Sequence, residues 1–475
     1  MKIVIVGGGI SGCVAYLALR KHLPRPPPPA EDHEFTIYEA YDANTNHDRS
    51  EQDTHSSTPI IGGGLGIAPN GLHVLERLDS DLLHEIVQGG YMVDHSNVKT
   101  KHGHLLMRLS SSTACLSPNN PLPMHLLGTS RHNLWQALHR RIPEDIIINK
   151  RVVKVTPNTT GPKTLTFADD SPPVSADVVI GADGLKSITK RALFPEATED
   201  PYSPHYENLI SIGGFLPTTS LPPTPPGSMN LLFSATGFFG YFYANSSPTS
   251  PHRSSPHHIS PPGDTLAWWT TYSMPTPTPT PTPPDLTSPN LNLTTLTQHL
   301  HTRYSTWTDP TISTILPTIT IKTIYPVFTS PPLPTFSSTG IILIGDAAHT
   351  LPPTSGQGAS QALEDVEVLS LFLKHYLGIS YHDENGGVSE LEAVSRAGEE
   401  YTSLRRPRVQ GILERAEKMQ GLKRDSIGWL GGRVREWMMY LGMWLMGWFP
   451  GLVGWGMGLR GVVEYDLPWE VERVL

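Results

Sequence analysis

The chain has 475 residues, enough for about three domains of roughly 150 residues each, and its 38% hydrophobic and 17% charged content excludes a highly charged disordered chain. Lys+Arg total 35 against Asp+Glu 44, a formal net charge of −9 that argues against nucleic acid as a partner. Two cysteines, Cys13 and Cys115, cannot build a disulfide framework or a Cys-rich zinc site, so no metal is expected and a reducing, cytoplasmic compartment is. The opening residues, Met1-Lys2-Ile3-Val4-Ile5-Val6, run straight into glycines and read as structure rather than as a signal peptide.

Val4-Ile5-Val6-Gly7-Gly8-Gly9-Ile10-Ser11-Gly12 reads as an apolar strand, a Gly-x-Gly-x-x-Gly turn and a helix start, and Val14, Ala15, Leu17, Ala18 and Leu19 continue the helix. This is the opening of a dinucleotide-binding βαβ unit. Gly7 permits the tight turn, Gly9 lets the backbone approach a pyrophosphate, and Gly12 lets helix and strand pack closely; Ser11 falls in the same cofactor-facing turn. A second strand, Phe35-Thr36-Ile37-Tyr38, ends at Glu39, placed to accept hydrogen bonds from an adenosine ribose. The insertion 23–32 explains a spacing beyond the usual ~20 residues, and a second polar insertion follows at 41–58. Val178-Val179-Ile180-Gly181-Ala182-Asp183-Gly184 is a third buried strand, ending in a turn that carries Asp183.

The middle of the chain is proline-rich. Of 46 prolines, close to twice the usual ~5%, 17 fall in 217–289, including a Thr-Pro alternation over 275–284. Such runs are expected to be enlarged surface loops, because proline cannot join a sheet ladder. Between them, 231–236, 238–243 and 265–272 read as strands. Their aromatic residues, Phe233, Phe238, Phe239, Tyr241, Phe242, Tyr243, Trp268, Trp269 and Tyr272, could wall an apolar pocket for a small-molecule substrate. Alternation lets only one face of each strand look inward, so about a third should do so.

A fourth strand, Ile341-Ile342-Leu343-Ile344, leads into Gly345-Asp346-Ala347-Ala348-His349 and then Pro352-Pro353-Thr354-Ser355-Gly356-Gln357-Gly358-Ala359. Ala362, Leu363, Val366, Leu369 and Leu373 then recur at helical spacing. A carboxylate at the strand end and two glycines at the helix entry are superfluous for a plain NAD dehydrogenase but suit a flavin. Asp346 can bind ribityl hydroxyls, and the N–H groups from Gly356 through Gly358 to Ala359 can face the ring edge where negative charge collects on reduction. His349 is expected to be a structural hydrogen-bonder.

From 437 to 459 there are 23 residues without a formal charge, a length that could span a bilayer. Six glycines, Pro450 and the internal Trp444, Trp448 and Trp455 interrupt it, so membrane association, spanning or peripheral, stands beside packing on the rest of the molecule or on a partner subunit.

The Gly7–Gly12, Asp183 and Asp346 motifs, in this order and spacing, resemble those of the FAD-dependent aromatic hydroxylases, the single-component flavoprotein monooxygenases that include p-hydroxybenzoate and salicylate hydroxylases, and the detail is nearest the fungal secondary-metabolism branch. Over 1–423 the resemblance adds a second glycine segment, Gly62-Gly63-Gly64-Leu65-Gly66 before Pro69-Asn70, in which Gly63 would contact the flavin. It adds Ser130-Arg131-His132-Asn133-Leu134, whose Arg131 would meet the FAD pyrophosphate. A cation in a first helical turn opposes the helix dipole, so an anion beside Arg131 also makes physical sense. Pro353 would lie beside the flavin ring, and Arg405-Arg406-Pro407-Arg408 matches a late, structural helix. The family often carries arginine where this chain has Lys190, which cannot form the same planar fork.

The resemblance implies an α/β fold: a Rossmann-like FAD/NAD(P)-binding domain in two parts, 1–190 and 340–425, a sheet-rich substrate domain at 191–339, and an apolar Trp/Met-rich helical C-terminal region at 426–475. It implies that NADPH or NADH reduces FAD, and that O2 then adds to form a flavin C4a-hydroperoxide that hydroxylates or epoxidises an apolar, aromatic, polyketide- or terpenoid-derived metabolite. No catalytic base is identifiable. The alternatives are a flavin-dependent reductase or dehydrogenase without oxygen transfer, a flavin halogenase, whose Trp-x-Trp segment is missing, and a non-catalytic flavin-bound scaffold.

Overall fold

The computed structural model describes residues 1–41, 63–112, 122–197, 199–274, 293–321, 323–382, 387–420, 429–449 and 459–475. Cys115, Gly62, most of the 41–58 insertion, the 275–284 Thr-Pro run, residue 423, and Pro450 with Trp455 lie outside the described residues.

Four apolar runs become the centre of a six-stranded sheet. Its order is Ser337–Ser338, Ile341–Leu343, Val178–Gly181, Lys2–Val6, Glu34–Glu39 and Ile147–Asn149, parallel throughout except for the two-residue edge strand Ser337–Ser338. Val4, Ile5, Val179, Ile180, Ile341 and Ile342 are completely buried, the two-sided burial that a parallel sheet demands of continuous Val/Ile runs. The register pairs Val6 with both Tyr38 and Gly181, and Gly181 with Leu343. All four strands therefore end at one level, and Gly7, Glu39, Asp183 and Asp346 emerge from the same edge. The helices Ile10–His22 and Gly358–His382 pack against each other on one side, and Glu390–Gln420 packs on Gly358–His382.

A seven-stranded sheet stands apart from the first, in the order Thr323–Thr329, His205–Pro217, Thr265–Ser273, Gly237–Tyr243, Ser228–Ser234, His95–Thr100 and Leu105–Ser110. The three strands read from the sequence at 231–236, 238–243 and 265–272 are there, shifted by at most a few residues. The last two strands come from the N-terminal part of the chain, so this sheet is not made from 191–339 alone. His95–Thr100 is added parallel to Ser228–Ser234, the one parallel pairing in an otherwise antiparallel sheet. A three-stranded sheet, Gly64–Ile67, Leu126–Ser130 and Tyr91–Val93, stands at the join, and a second, Val174–Ala176, Lys163–Phe167 and Val152–Thr156, flanks the parallel sheet.

After Gln420 the described chain continues as the helices Trp429–Trp448, Leu459–Val463 and Leu467–Val474. Among the described residues no helix is long and apolar enough to cross a membrane. Of the expected 437–459 stretch, 450–458 lies outside the described residues, and 437–448 forms the uncharged end of the helix in which Arg433, Arg435 and Glu436 precede it.

Candidate functional site

The glycine turn is held shut by its own backbone. Gly7 sits at φ +106°, and a Cβ there would lie 2.5 Å from the Ala182 carbonyl oxygen; a Cβ on Gly12 would lie 1.9 Å from the Gly7 carbonyl oxygen. Both positions exclude any larger residue. Gly9 differs, because a Cβ there would meet nothing within 4 Å. It faces open space, as expected for a residue that lets a ligand approach. The helix beginning at Ile10 has no side-chain cap and no acidic residue in its first turn, which leaves its N–H groups and positive dipole end directed outward. Glu39 braces the turn: its Oε2 accepts from the Gly8 N–H at 2.6 Å and its Oε1 from the Tyr41 N–H at 3.0 Å. Trp135, which sequence reasoning passed over, donates its indole N–H to the Gly8 carbonyl at 3.0 Å.

Asp183 is also placed at this edge, but both of its oxygens serve its own turn. They accept from Ser187 Oγ (2.6 Å), the Ile188 N–H (2.9 Å), and the N–H and hydroxyl of Thr189 (both 3.0 Å). The carboxylate shapes the loop beside Gly7. Lys190 is turned away from the edge, held by the Tyr202 carbonyl and Asp200, each at 2.7 Å.

Gly345 precedes Asp346 at φ +58°, and a Cβ there would lie 2.5 Å from Ser11 Oγ, so the first and fourth strand ends touch across the sheet. Asp346 is exposed at this edge. Loss of hydration beside the surrounding protein pushes its carboxyl up, Arg131 and then His349 pull it back, and Asp365 adds a smaller push upward. Arg131, 215 positions earlier in the chain, is therefore within electrostatic reach. It begins the helix Arg131–His139, whose cap Ser130 accepts from the Asn133 N–H at 3.0 Å. The Arg131 N–H donates to the Gly63 carbonyl at 3.2 Å, and the Gly63 N–H donates to Tyr325 Oη at 3.2 Å. Gly63 and Arg131 thus form one lip opposite Asp346. Beyond it, Pro353 opens a short 3-10 turn that ends at Gly356, φ +59°, and Gly358 begins the long helix, with Ala359 half-buried beside it. A Cβ on Gly356 or Gly358 would meet nothing within 4 Å.

Beneath this cleft lies a buried ionic network that periodicity alone did not reveal. Asp365 accepts from the Gly345 N–H (2.9 Å), His349 Nε2 (2.6 Å) and Arg405 Nε (2.8 Å). Glu364 accepts from Asn70 Nδ2 (2.6 Å), from Arg408 through two bonds of 2.7 Å, and from Arg405. Burial opposes ionisation of both carboxyls, but Arg405 and Arg408 around Glu364, and His349 and Arg405 around Asp365, hold them below the ordinary carboxylate range. The signal was present in the sequence: Glu364-Asp365 interrupts an apolar helix face, where charges survive only when paired. His349 is fixed as a structural group.

The seven-stranded sheet offers one face to the cleft. Phe239, Tyr241, Tyr243, Trp268 and Tyr272 point to the opposite side, where they pack with Leu300, Tyr304, Trp307 and Ile312. Phe242, with Ala267, is in van der Waals reach of Gly64, and a Cβ on Gly128 would lie 2.4 Å from its ring, so this face adjoins the segment carrying Gly63. Trp269 lies across Gly240, and Phe233 and Phe238 continue the face to Met439 and Met443 of the helix Trp429–Trp448. Four of the nine aromatic residues, Phe233, Phe238, Phe242 and Trp269, share this face.

The residues present fit an FAD. Three glycines leave room for it, two helix starts offer N–H groups, Arg131 supplies a cation, and Asp346 an open carboxylate at the far end. Among the described residues no group of three or more His, Cys, Asp or Glu could hold a metal.

Comparison with known proteins agrees. Residues 319–415 match a family model described as FAD binding domain. Among curated proteins, the chain is 23% identical over 436 residues to a chloroplastic zeaxanthin epoxidase of Nicotiana plumbaginifolia, covering 90% of this chain and 56% of that protein. It is 22% identical over 435 residues to the FAD-dependent monooxygenase ntnA of Nectria sp, covering 89% and 50%. The chain therefore spans about half the length of these relatives. A solved salicylate hydroxylase substrate complex superposes with a TM-score of 0.68 at 20% identity, covering 100% of this chain and 98% of the other. In sequence and in fold, the chain resembles the FAD-dependent monooxygenases.

Proposed function

We propose that this chain is an FAD-dependent monooxygenase that consumes NADPH or NADH and O2 to hydroxylate or epoxidise an apolar, aromatic, polyketide- or terpenoid-derived small molecule. One observation carries the reading: an open glycine cradle and an aromatic sheet face lie on either side of the lip formed by Gly63 and Arg131. Gly7, Gly9, Ser11, Gly12 and Glu39 would hold the adenosine and pyrophosphate end of FAD, with Asp183 shaping the adjoining loop and Arg131 neutralising phosphate charge. Asp346, Pro353, Gly356, Gly358, Ala359 and Gly63 would hold the ribityl chain and the ring system. When bound, FAD supplies the redox chemistry and the activation of O2.

The chain's own part is to bind, orient and keep water out. N–H groups near Gly358 oppose negative charge at the ring edge, and Phe242, Trp269, Phe238 and Phe233 give an apolar substrate a wall without hydrogen-bonding groups, except for the indole of Trp269. The domain boundaries 1–190, 191–339, 340–425 and 426–475 serve this arrangement, with 95–110 lent to the substrate-side sheet.

Purified protein should be yellow, and anaerobic NADPH or NADH should bleach it in the presence of a suitable substrate. Substrate-dependent O2 uptake with labelled oxygen in the product separates a monooxygenase from a reductase, and a flavin that never bleaches leaves only a scaffold. Asp346→Ala should lower FAD occupancy with the fold intact; full yellow colour and unchanged turnover would remove that residue from the site.

A further inference from the structure

The cleft-facing side of the seven-stranded sheet changes character from one edge to the other. Strand register places Tyr325, Ser211, Thr271, Phe238 and Phe233 in one row across neighbouring strands, and alternation puts that row on the same face as Trp269. The row begins with hydroxyls and ends in hydrocarbon. Phe238 and Phe233 are buried against Met443 of the helix Trp429–Trp448. Thr271 Oγ1 donates to Ser211 Oγ at 3.3 Å, and both residues are buried. Tyr325 belongs to the edge strand Thr323–Thr329, is half-buried, and reaches the lip of the cofactor cleft, where its Oη accepts from the Gly63 N–H at 3.2 Å. That contact uses only a lone pair. A phenol also carries one O–H donor, and among the described residues the Tyr325 hydrogen has no acceptor.

We propose that Tyr325 donates its O–H to a carbonyl oxygen of the substrate and so decides which end of that molecule meets the Gly63 lip. The proposal rests on the reading that this face receives the substrate, and it narrows the substrate to a molecule with an apolar body and one polar end. Position supports it first. Tyr325 links the segment that would contact the flavin to the sheet, so a group bonded to its hydroxyl is held beside the lip while the hydrocarbon extends towards Phe238 and Phe233. The chemistry agrees. Because Oη already accepts from Gly63, its unused capacity is a donor, which selects an oxygen acceptor over an N–H or O–H group. Tyr325, Ser211 and Thr271 are all uncharged, and a carboxylate taken out of water needs a paired cation, whereas a carbonyl needs only a well-placed donor. An apolar ring on an aromatic wall can settle in several poses. One directional bond at one end selects among them.

The test is equilibrium dialysis of the full-length protein with two probes of similar shape, acetophenone, which has a carbonyl, and ethylbenzene, which lacks one. Tyr325→Phe removes the hydroxyl and keeps the ring. It should raise the Kd of acetophenone about fivefold and leave that of ethylbenzene unchanged, at an unchanged melting temperature. Comparing each probe between the two proteins cancels the difference in how strongly water holds the probes. Equal changes for both probes, no change for either, or a wild type that takes up neither overturns the proposal. Binding is read without turnover, and flavin content is measured in every sample. A colourless protein in which Tyr325→Phe weakens only the ketone therefore counts against the monooxygenase reading and supports the Tyr325 contact, whereas a yellow protein without that selectivity overturns the contact alone.

Discussion

The floor of the cofactor cleft and the aromatic face of the seven-stranded sheet lie side by side but are built on opposite principles. The cleft is made of backbone and charge. Its shape comes from glycines that touch other backbone atoms, and the Gly345 strand end is anchored from below by a network of Asp365, Glu364, Arg405 and Arg408, all but sealed from water. The sheet face is made of side-chain volume, with Phe242, Trp269, Phe238 and Phe233 in ring contact and few polar anchors. A cofactor of fixed shape rewards a rigid frame in which each N–H has one direction. A substrate surface made of rings can be re-contoured by changing one residue without disturbing the frame, which is how one fold accommodates different substrates.

Breaking the frame should have the largest effect. Arg405→Ala leaves two buried carboxylates without their shared cation and should cost about 3–5 kcal/mol in urea unfolding, with FAD lost at the same time. Gly12→Ala comes next: its methyl group cannot coexist with the Gly7 carbonyl, so a properly folded protein with normal FAD affinity would contradict the packing described. Acid should act on the same frame. Because the folded-state carboxyls of Glu364 and Asp365 lie below their ordinary values, their contribution is present in full above about pH 4 and disappears as the pH falls through the depressed values. The urea midpoint, measured from neutral pH downward, should fall accordingly and fall less in a variant whose network is already broken.

The aromatic region should respond more mildly. In Gly240→Ala the new methyl group would come within 2.4 Å of the Trp269 ring, so the ring must shift, at a cost of about 1–3 kcal/mol. The expected kinetic signature is a raised KM with FAD content unchanged; a simultaneous loss of flavin would mean that the two regions are not separable. The smallest effect on stability sharpens the comparison most. Gly9→Ala adds a methyl group to open space, so stability should move by no more than about 0.5 kcal/mol while FAD affinity falls, as measured by fluorescence titration. Unchanged affinity would remove Gly9 from the phosphate path.

The sequence alone determined the elements and their chemistry, because those are local. Apolar runs with no alternation had to be doubly buried strands; glycines spaced as in Gly7, Gly9 and Gly12 had to form a turn; period-2 aromatic segments had to be sheet with two unlike faces. Only tertiary structure decided what lay across the chain. It aligned four strand ends at one level, brought Arg131 to Asp346, set Ser11 against Gly345, and turned Asp183 into a brace for its own loop. It also carried 95–110 into the distant sheet and chose which aromatic residues face the cleft. The Glu364 and Asp365 network joins residues from 70 to 408, and the C-terminal helix earned its inner and outer sides only by packing. Periodicity reports what a residue needs within a few turns of chain. Which distant group meets that need depends on strand order and register, which short-range pattern does not encode.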